Sequence, residues 1–200
     1  MYKNAEVGSF ILFGTYEQDG NISNGKEPIE WRVLAKEDNR ILVISQYALD
    51  YKRYNTTYSE NLTWETCTLR QWLNNDFLKA AFSNKEQAMI PIVPVSADKN
   101  PYYSTTPGNT TQDRVFLLSI PEAEEYFPFS WDKQCKPTAH AEKVGASPNN
   151  SDFCNWVLRT PGVSQPCVVF ISKKGDVYED GQGGNYHFFI RPVLWIDITQ

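Results

Sequence analysis

The stretch Cys167-Val168-Val169-Phe170-Ile171-Ser172-Lys173-Lys174-Gly175-Asp176-Val177-Tyr178 decides the fold class. An apolar run rich in β-branched residues meets a Lys-Gly-Asp step and then a second short β-prone segment. That is the pattern of a strand, a tight turn and a returning strand. A turn this short joins antiparallel neighbours. On either side, Asn155 to Arg159 and Phe188 to Asp197 also read as strands, so the chain from Cys154 onward is a run of short strands joined by glycine-rich turns.

Upstream the pattern differs. Ser9 to Tyr16, Glu30 to Ala35 and Arg40 to Ser45 are β-prone, and Asp38-Asn39 between the last two predicts a hairpin. Leu69, Trp72, Leu73, Phe77, Ala80 and Ala81 recur at helical spacing, which predicts an amphipathic helix over Leu69 to Phe82 with Thr68 near its cap. Ser83-Asn84-Lys85-Glu86 and Ser119-Ile120-Pro121-Glu122 are capping boxes, so each opens a short helix, the second running through about Tyr126 after a strand at Arg114 to Leu118. Pro137 to Val144 reads as a further helix closed by Gly145 in a left-handed cap. Two irregular stretches remain: a long surface loop from Ser96 to Gln112, and Gly145 to Asp152. Helices in the first two thirds and an antiparallel run at the end give an α+β class, and without a linker or repeat the 200 residues read as a single domain.

Composition narrows the function. With 19 Lys and Arg against 24 Asp and Glu, the net charge of −5 argues against a nucleic-acid partner, which needs a basic face. Apolar runs such as Phe10 to Phe13 and Val115 to Leu118 fall far short of the ~20 residues of a membrane helix. The opening Met1 to Glu6 has no apolar segment of a signal peptide, which makes a cytoplasmic setting the default expectation. Cys67, Cys135, Cys154 and Cys167 stand singly, too sparse for a disulfide framework, and are expected as reduced, mostly buried thiols.

No pattern of acid–base, metal or phosphate chemistry stands out, and neither a metal nor another cofactor is expected. Cys135 and His140 lie five apart, but a structural zinc needs four ligands in close pairs. Asp176 to Gly181 fails as a calcium loop, because Tyr178 and His187 fall where oxygen ligands are required. Gly181, Gly183 and Gly184 precede no helix, so they form no phosphate cradle and read as turn glycines. What remains is a segment dense in aromatic and amide side chains: Tyr178, Glu179, Asp180, Gln182, Asn185, Tyr186 and His187. Tyr gives large contact area at low entropic cost and Asn adaptable hydrogen bonds, the chemistry of binding loops. Phe188 fits core or surface equally.

Val7 to Tyr16, Pro28 to Leu34, Trp64 to Asn74, Val115 to Ser119, Cys135 to Ala139, Trp156-Val157-Leu158-Arg159-Thr160-Pro161-Gly162 and Ile190-Arg191-Pro192-Val193-Leu194-Trp195-Ile196 together resemble a bacterial family of unknown function. The terminal part of that family resembles the C-type-lectin-like fold of formylglycine-generating enzymes and of variable proteins diversified by retroelements. The resemblance implies a C-type-lectin-like part over roughly residues 110–200, with ligand contacts in the window Val163 to Phe189. It adds Gln165 to the candidate site. Formylglycine-generating enzymes use a closely spaced reactive cysteine pair, whereas Cys154 and Cys167 have twelve residues between them. Gln165-Pro166-Cys167 also lacks the last oxygen ligand of calcium-dependent sugar-binding lectins.

The expectation is therefore non-enzymatic recognition of a protein or glycan, with Trp156, Leu158 and Trp195 as framework and Tyr186 as principal anchor. Two rivals stand beside it. One is a thiol- or metal-dependent enzyme using a cysteine or His140, related to formylglycine-generating enzymes. The other is a structural module of a surface or phage assembly, marked by constitutive oligomerisation; the sequence leaves the oligomeric state open.

Overall fold

Short apolar, β-prone runs in the first three strands build the first sheet. In the computed structural model, which describes residues 2–145 and 152–199, β1 (Phe10–Tyr16), β2 (Glu27–Lys36) and β3 (Arg40–Ser45) form an antiparallel meander. Ile29, Trp31 and Val33 of β2 are buried at alternate positions, while Ile41 to Ile44 of β3, which lies between β2 and β12, are buried on both faces of the sheet. The β2–β3 hairpin turns at the expected Asp38-Asn39. β4 (Asp50–Arg53) follows, and sequence reading missed it. Its Asp-Tyr-Lys-Arg composition carries no strand signal; the pairing that makes it a strand is supplied by residues 187–190.

The expected helix at Leu69 to Phe82 forms as α1 (Thr68–Trp72), a wide π-helical turn (Leu73–Phe77) and α2 (Leu78–Ala81). Its cap is Cys67, next to Thr68: the Cys67 sulfur accepts from Arg70 N at 3.4 Å, while Thr68 Oγ1 accepts from Thr56 N at 3.0 Å. Within the wide turn, Asn74 accepts from Arg114 N and Val115 N and donates to Val115 O, clasping the next sheet edge. The two capping boxes form as read, opening α3 (Asn84–Met89) at Ser83 and a later helix at Ser119.

The long loop does not run free. β5 (Val93–Val95) pairs with β6 (Thr111–Asp113), so Thr111 and Gln112 belong to a two-stranded ribbon. Between them, residues 96–110 are tied down by side chains. Asn100 Nδ2 donates to Pro161 O and Glu179 O, Thr105 Oγ1 to Gly162 O, and Tyr103 to the Asp180 carboxylate. β7 is only Val115–Phe116, shorter than read. α4 (Ile120–Tyr126), α5 (Ser130–Lys133) and α6 (Ala139–Gly145) complete the helices; α5 carried no sequence signal. Gly145 ends α6 without the expected left-handed φ, its Cα lying against the Tyr51 ring instead. Of the irregular stretch expected at Gly145 to Asp152, residues 146–151 lie outside the described residues.

The C-terminal strands are β8 (Trp156–Pro161), β9 (Cys167–Ile171), β10 (Val177–Gly183), β11 (His187–Ile190) and β12 (Val193–Asp197). β9 and β10 form the antiparallel hairpin that the opening stretch dictates. Two expectations change. β10 runs on to Gly183, so Gly181 is a strand residue at a bulge rather than a turn glycine: its φ is +71°, and a Cβ there would lie 2.5 Å from Val168 O. The single strand expected from Phe188 to Asp197 splits at Arg191-Pro192, because proline cannot donate to the ladder and the chain crosses between sheets there.

The class is α+β, as read. The sheets order β1-β2-β3-β12-β7 and β10-β9-β8-β11-β4, each drawing strands from both halves of the chain. One hydrophobic cluster fills the space between, with Trp31, Phe77, Phe127 and Trp156 its large members. The β9–β10 turn is tight because Gly175 adopts φ +87° and its Cα faces the Ser130 carbonyl, where a Cβ would sit 1.7 Å from the oxygen. Gly175→Ala is expected to destabilise by roughly 1–3 kcal/mol, read as a fall in the thermal midpoint; an unchanged midpoint would mean that this turn relaxes without cost.

Candidate functional site

β11, between β8 and β4, is buried along all but its first residue. Phe188, which fitted either role, is buried with Phe189 and Ile190, while His187 at the strand start is exposed. His187 lies opposite Arg53 of β4, and its ring stacks on Tyr51 with centroids 5.3 Å apart and planes 14° from parallel. This stacked pair divides two depressions. The larger, about 400 Å³, is walled by Tyr51, Lys52, Arg53, Thr68, Trp72 and His187. The smaller, about 140 Å³, lies on the far side against Asn155, Gln182 and Phe188.

The larger cleft is held stiffly from beneath. Asp50 is buried at the start of β4, where it accepts from Tyr16 Oη at 2.7 Å and pairs with Lys52 Nζ at 3.4 Å. Burial, then the Asp50 charge, pushes the Tyr16 hydroxyl well above its ordinary range, so it stays a donor. Lys52 Nζ lies 4.5 Å from the Trp72 ring centroid, a cation–π contact that fixes the indole at the cleft wall. His187 is held below its ordinary value by partial desolvation and by Arg53 and Lys52, which keeps the stacked ring neutral at pH 7. The result is a concave aromatic surface with two cationic side chains and the Thr56 and Thr68 hydroxyls at its rim.

The residues named from sequence divide by position. Tyr178, Asp180 and Gln182 are exposed on β10, an edge strand, with Tyr178 stacked on Phe170 at 4.9 Å. Asn185, Tyr186 and His187 are exposed at the β10–β11 turn and the start of β11. Glu179 is half-buried and its carbonyl accepts from Asn100. Gln165 braces two loops, its amide donating to Leu62 O at 2.6 Å and Thr106 O at 2.9 Å. The face is thus the edge and turn of a sheet rather than an irregular loop. Of the framework residues Trp156 and Leu158 are fully buried, whereas Trp195 is half-buried under the Arg40 guanidinium, 4.2 Å from its centroid.

Sequence reading missed Tyr51, Lys52, Arg53 and Trp72, since nothing local joins β4 to α1. It also missed the exposed pair Phe129 and Trp131, stacked at 4.4 Å. His140 packs edge-on to Tyr16. Glu17, Asp19 and Glu27 bring carboxylates within 4.8 Å of one another at the β1–β2 turn, where Glu27 accepts from Gln18 N and Asp19 N, and Asp19 from Asn21 N and Asn24 Nδ2. Among the described residues, no helix is long and apolar enough to cross a membrane.

No curated protein and no solved structure matches the chain. A family model matches residues 38–198, a span that takes in β3 to β12 and with them the cleft and the β10–β11 face; the chain belongs to the family described as a domain of unknown function, DUF6273.

Proposed function

We propose that this protein is a non-enzymatic recognition module for a protein or glycan, with the aromatic cleft and the adjoining β10–β11 face as its ligand surface. The single observation that carries this reading is the stack of His187 on Tyr51 beside Trp72, a concave aromatic wall with Gln182 across the stacked pair and Asn185 and Tyr186 exposed in the turn that leads into His187. Flat aromatic faces suit a sugar ring or a planar side chain, and the amides beside them suit its polar rim. Lys52 and Arg53 favour a ligand carrying a negative group. A C-type-lectin-like scaffold remains part of the proposal through the resemblance of Trp156 to Gly162 and Ile190 to Ile196. A retroelement-diversified origin would require variation within Val163 to Phe189, which sequencing of neighbouring DNA for a reverse transcriptase and a template copy tests directly.

The binding experiment screens the purified protein on an array of bacterial glycans and surface extracts, then titrates a hit by Trp fluorescence. Tyr186→Ala and His187→Ala are each expected to weaken binding about thirtyfold, the size of a hot spot of ~2 kcal/mol, with the thermal midpoint unchanged. A Tyr186→Ala variant that melts early, as a core mutant does, overturns the assignment of that ring to the ligand.

A further inference from the structure

Cysteines that stand far apart in sequence need not be apart in the fold. Cys135 follows α5 and Cys154 immediately precedes β8, and Cys154 N donates to Cys135 O at 2.9 Å. That bond brings the two residues together on neighbouring backbone segments, as closing a disulfide requires. Both thiols are buried, and each bears on the other's ionisation; the Cys135 sulfur also faces the Lys136 and Gln46 carbonyls, at 3.4 and 3.7 Å.

A third group points into the same place. Arg191, at the crossing between β11 and β12, is 2% exposed. Its Nε donates to Ser45 O at 2.8 Å, and its guanidinium lies between the Phe127 and Trp156 rings at 5.2 and 5.1 Å. Among the described residues no carboxylate pairs with it, and Nη1 has no hydrogen-bond partner. A buried guanidinium with an idle N–H is costly unless negative charge is supplied nearby. The groups charged against it are the two sulfurs, with Arg32 the other cation in range.

We propose that Cys135 and Cys154 are a redox couple, converted to a disulfide by a small hydroperoxide, with Arg191 compensating the charge of the attacking sulfur. Burial alone raises the Cys135 thiol, but the Cys154 side chain, then Arg191, outweighs it and holds the group below its ordinary value. Cys154 is driven the other way, by burial and then by Cys135, so it stays the thiol. The chemistry balances in two steps. The Cys135 thiolate attacks the peroxide, forming an S–O bond as the O–O bond breaks, and the leaving oxyanion takes a proton to become an alcohol or water. The Cys154 thiol then attacks the sulfenic sulfur; the S–S bond forms, the S–O bond breaks, and the departing hydroxide takes the Cys154 proton as water. The two sulfurs supply both electrons and the peroxide accepts them. Hydrogen peroxide is close to water in size, so it suits a buried pair better than a bulky disulfide oxidant does.

The test uses the intact, reduced protein. After hydrogen peroxide and alkylation of remaining thiols, peptide mapping without reductant is expected to recover Cys135 linked to Cys154, reversed by dithiothreitol. Cys67 is the internal control: it is equally buried but single, and burial raises its thiol to about 12. It is expected to be recovered as a free thiol, alkylated once the protein is denatured. In Cys154→Ser, dimedone is expected to trap a sulfenic acid at Cys135, and in Arg191→Lys the disulfide is expected to form within severalfold of the wild-type rate. Recovery of both thiols unlinked, or oxidation of Cys67 as fast as the pair, overturns the proposal in the wild-type protein without any variant having to fold.

Discussion

Arg159→Leu is expected to lower the unfolding free energy by about 3–5 kcal/mol, the cost of breaking a buried ion pair from one side. Arg159 is buried in β8 and makes six hydrogen bonds: Nε to Ser96 O, Nη1 to Leu117 O and the Glu122 carboxylate, and Nη2 to Ser96 Oγ, Asp98 Oδ2 and Glu122 Oε1. One guanidinium thereby joins β8, the capping box of α4 and the start of the 96–110 loop. Removing it leaves two carboxylates facing each other across partly buried space and unties the loop that contacts Glu179 and Asp180. At this chain length such a loss lowers the thermal midpoint by roughly 10 °C. Arg159→Lys keeps the charge but loses the planar fork and is expected to recover only part of the deficit. Urea unfolding measures both; a Leu variant within about 1 kcal/mol of wild type would mean that the network behaves as a solvent-screened surface pair.

Trp156→Ala is expected to cost a comparable amount, about 3–5 kcal/mol, by the different route of an unfilled cavity. The indole is buried at the centre of the second sheet, where Trp156 faces Phe189 in the parallel pairing of β8 with β11. Its Nε1 donates to Lys133 O at 2.8 Å, and Arg191 lies over its ring. Trp156→Phe keeps most of the volume but strands the Lys133 carbonyl and is expected to cost about 1–3 kcal/mol. Denaturant midpoints of the two variants separate packing from hydrogen bonding. An Ala variant as stable as wild type would remove Trp156 from the framework of the recognition face.

These two residues show how far local reading reaches. Trp156 was recognisable as framework because a large aromatic inside an apolar β-prone run has few other places to go. Arg159, three residues later, was not recognisable as a hub, since its partners at residues 96, 98, 117 and 122 come from three other segments. The capping boxes at Ser83 and Ser119 were legible because both partners lie within four residues. The candidate site was half legible. Tyr178, Gln182, Asn185, Tyr186 and His187 are exposed, as their polar setting suggested, but the cleft beside them depends on β4 and α1.

The chain itself determined whatever is settled within a few neighbours: the first three strands and the hairpin between the last two of them, the capped helices, the tight turn at Gly175 and the α+β class. Backbone preferences and capping hydrogen bonds act over one or two turns, so their outcome is written in adjacent residues. Only the tertiary structure decided that Asp50 to Arg53 is a strand, that the chain changes sheets at Pro192, that His187 lies on Tyr51, and that Cys135 meets Cys154 beside Arg191. Each of these joins segments whose encounter depends on how two sheets share one core, and no local spacing encodes that.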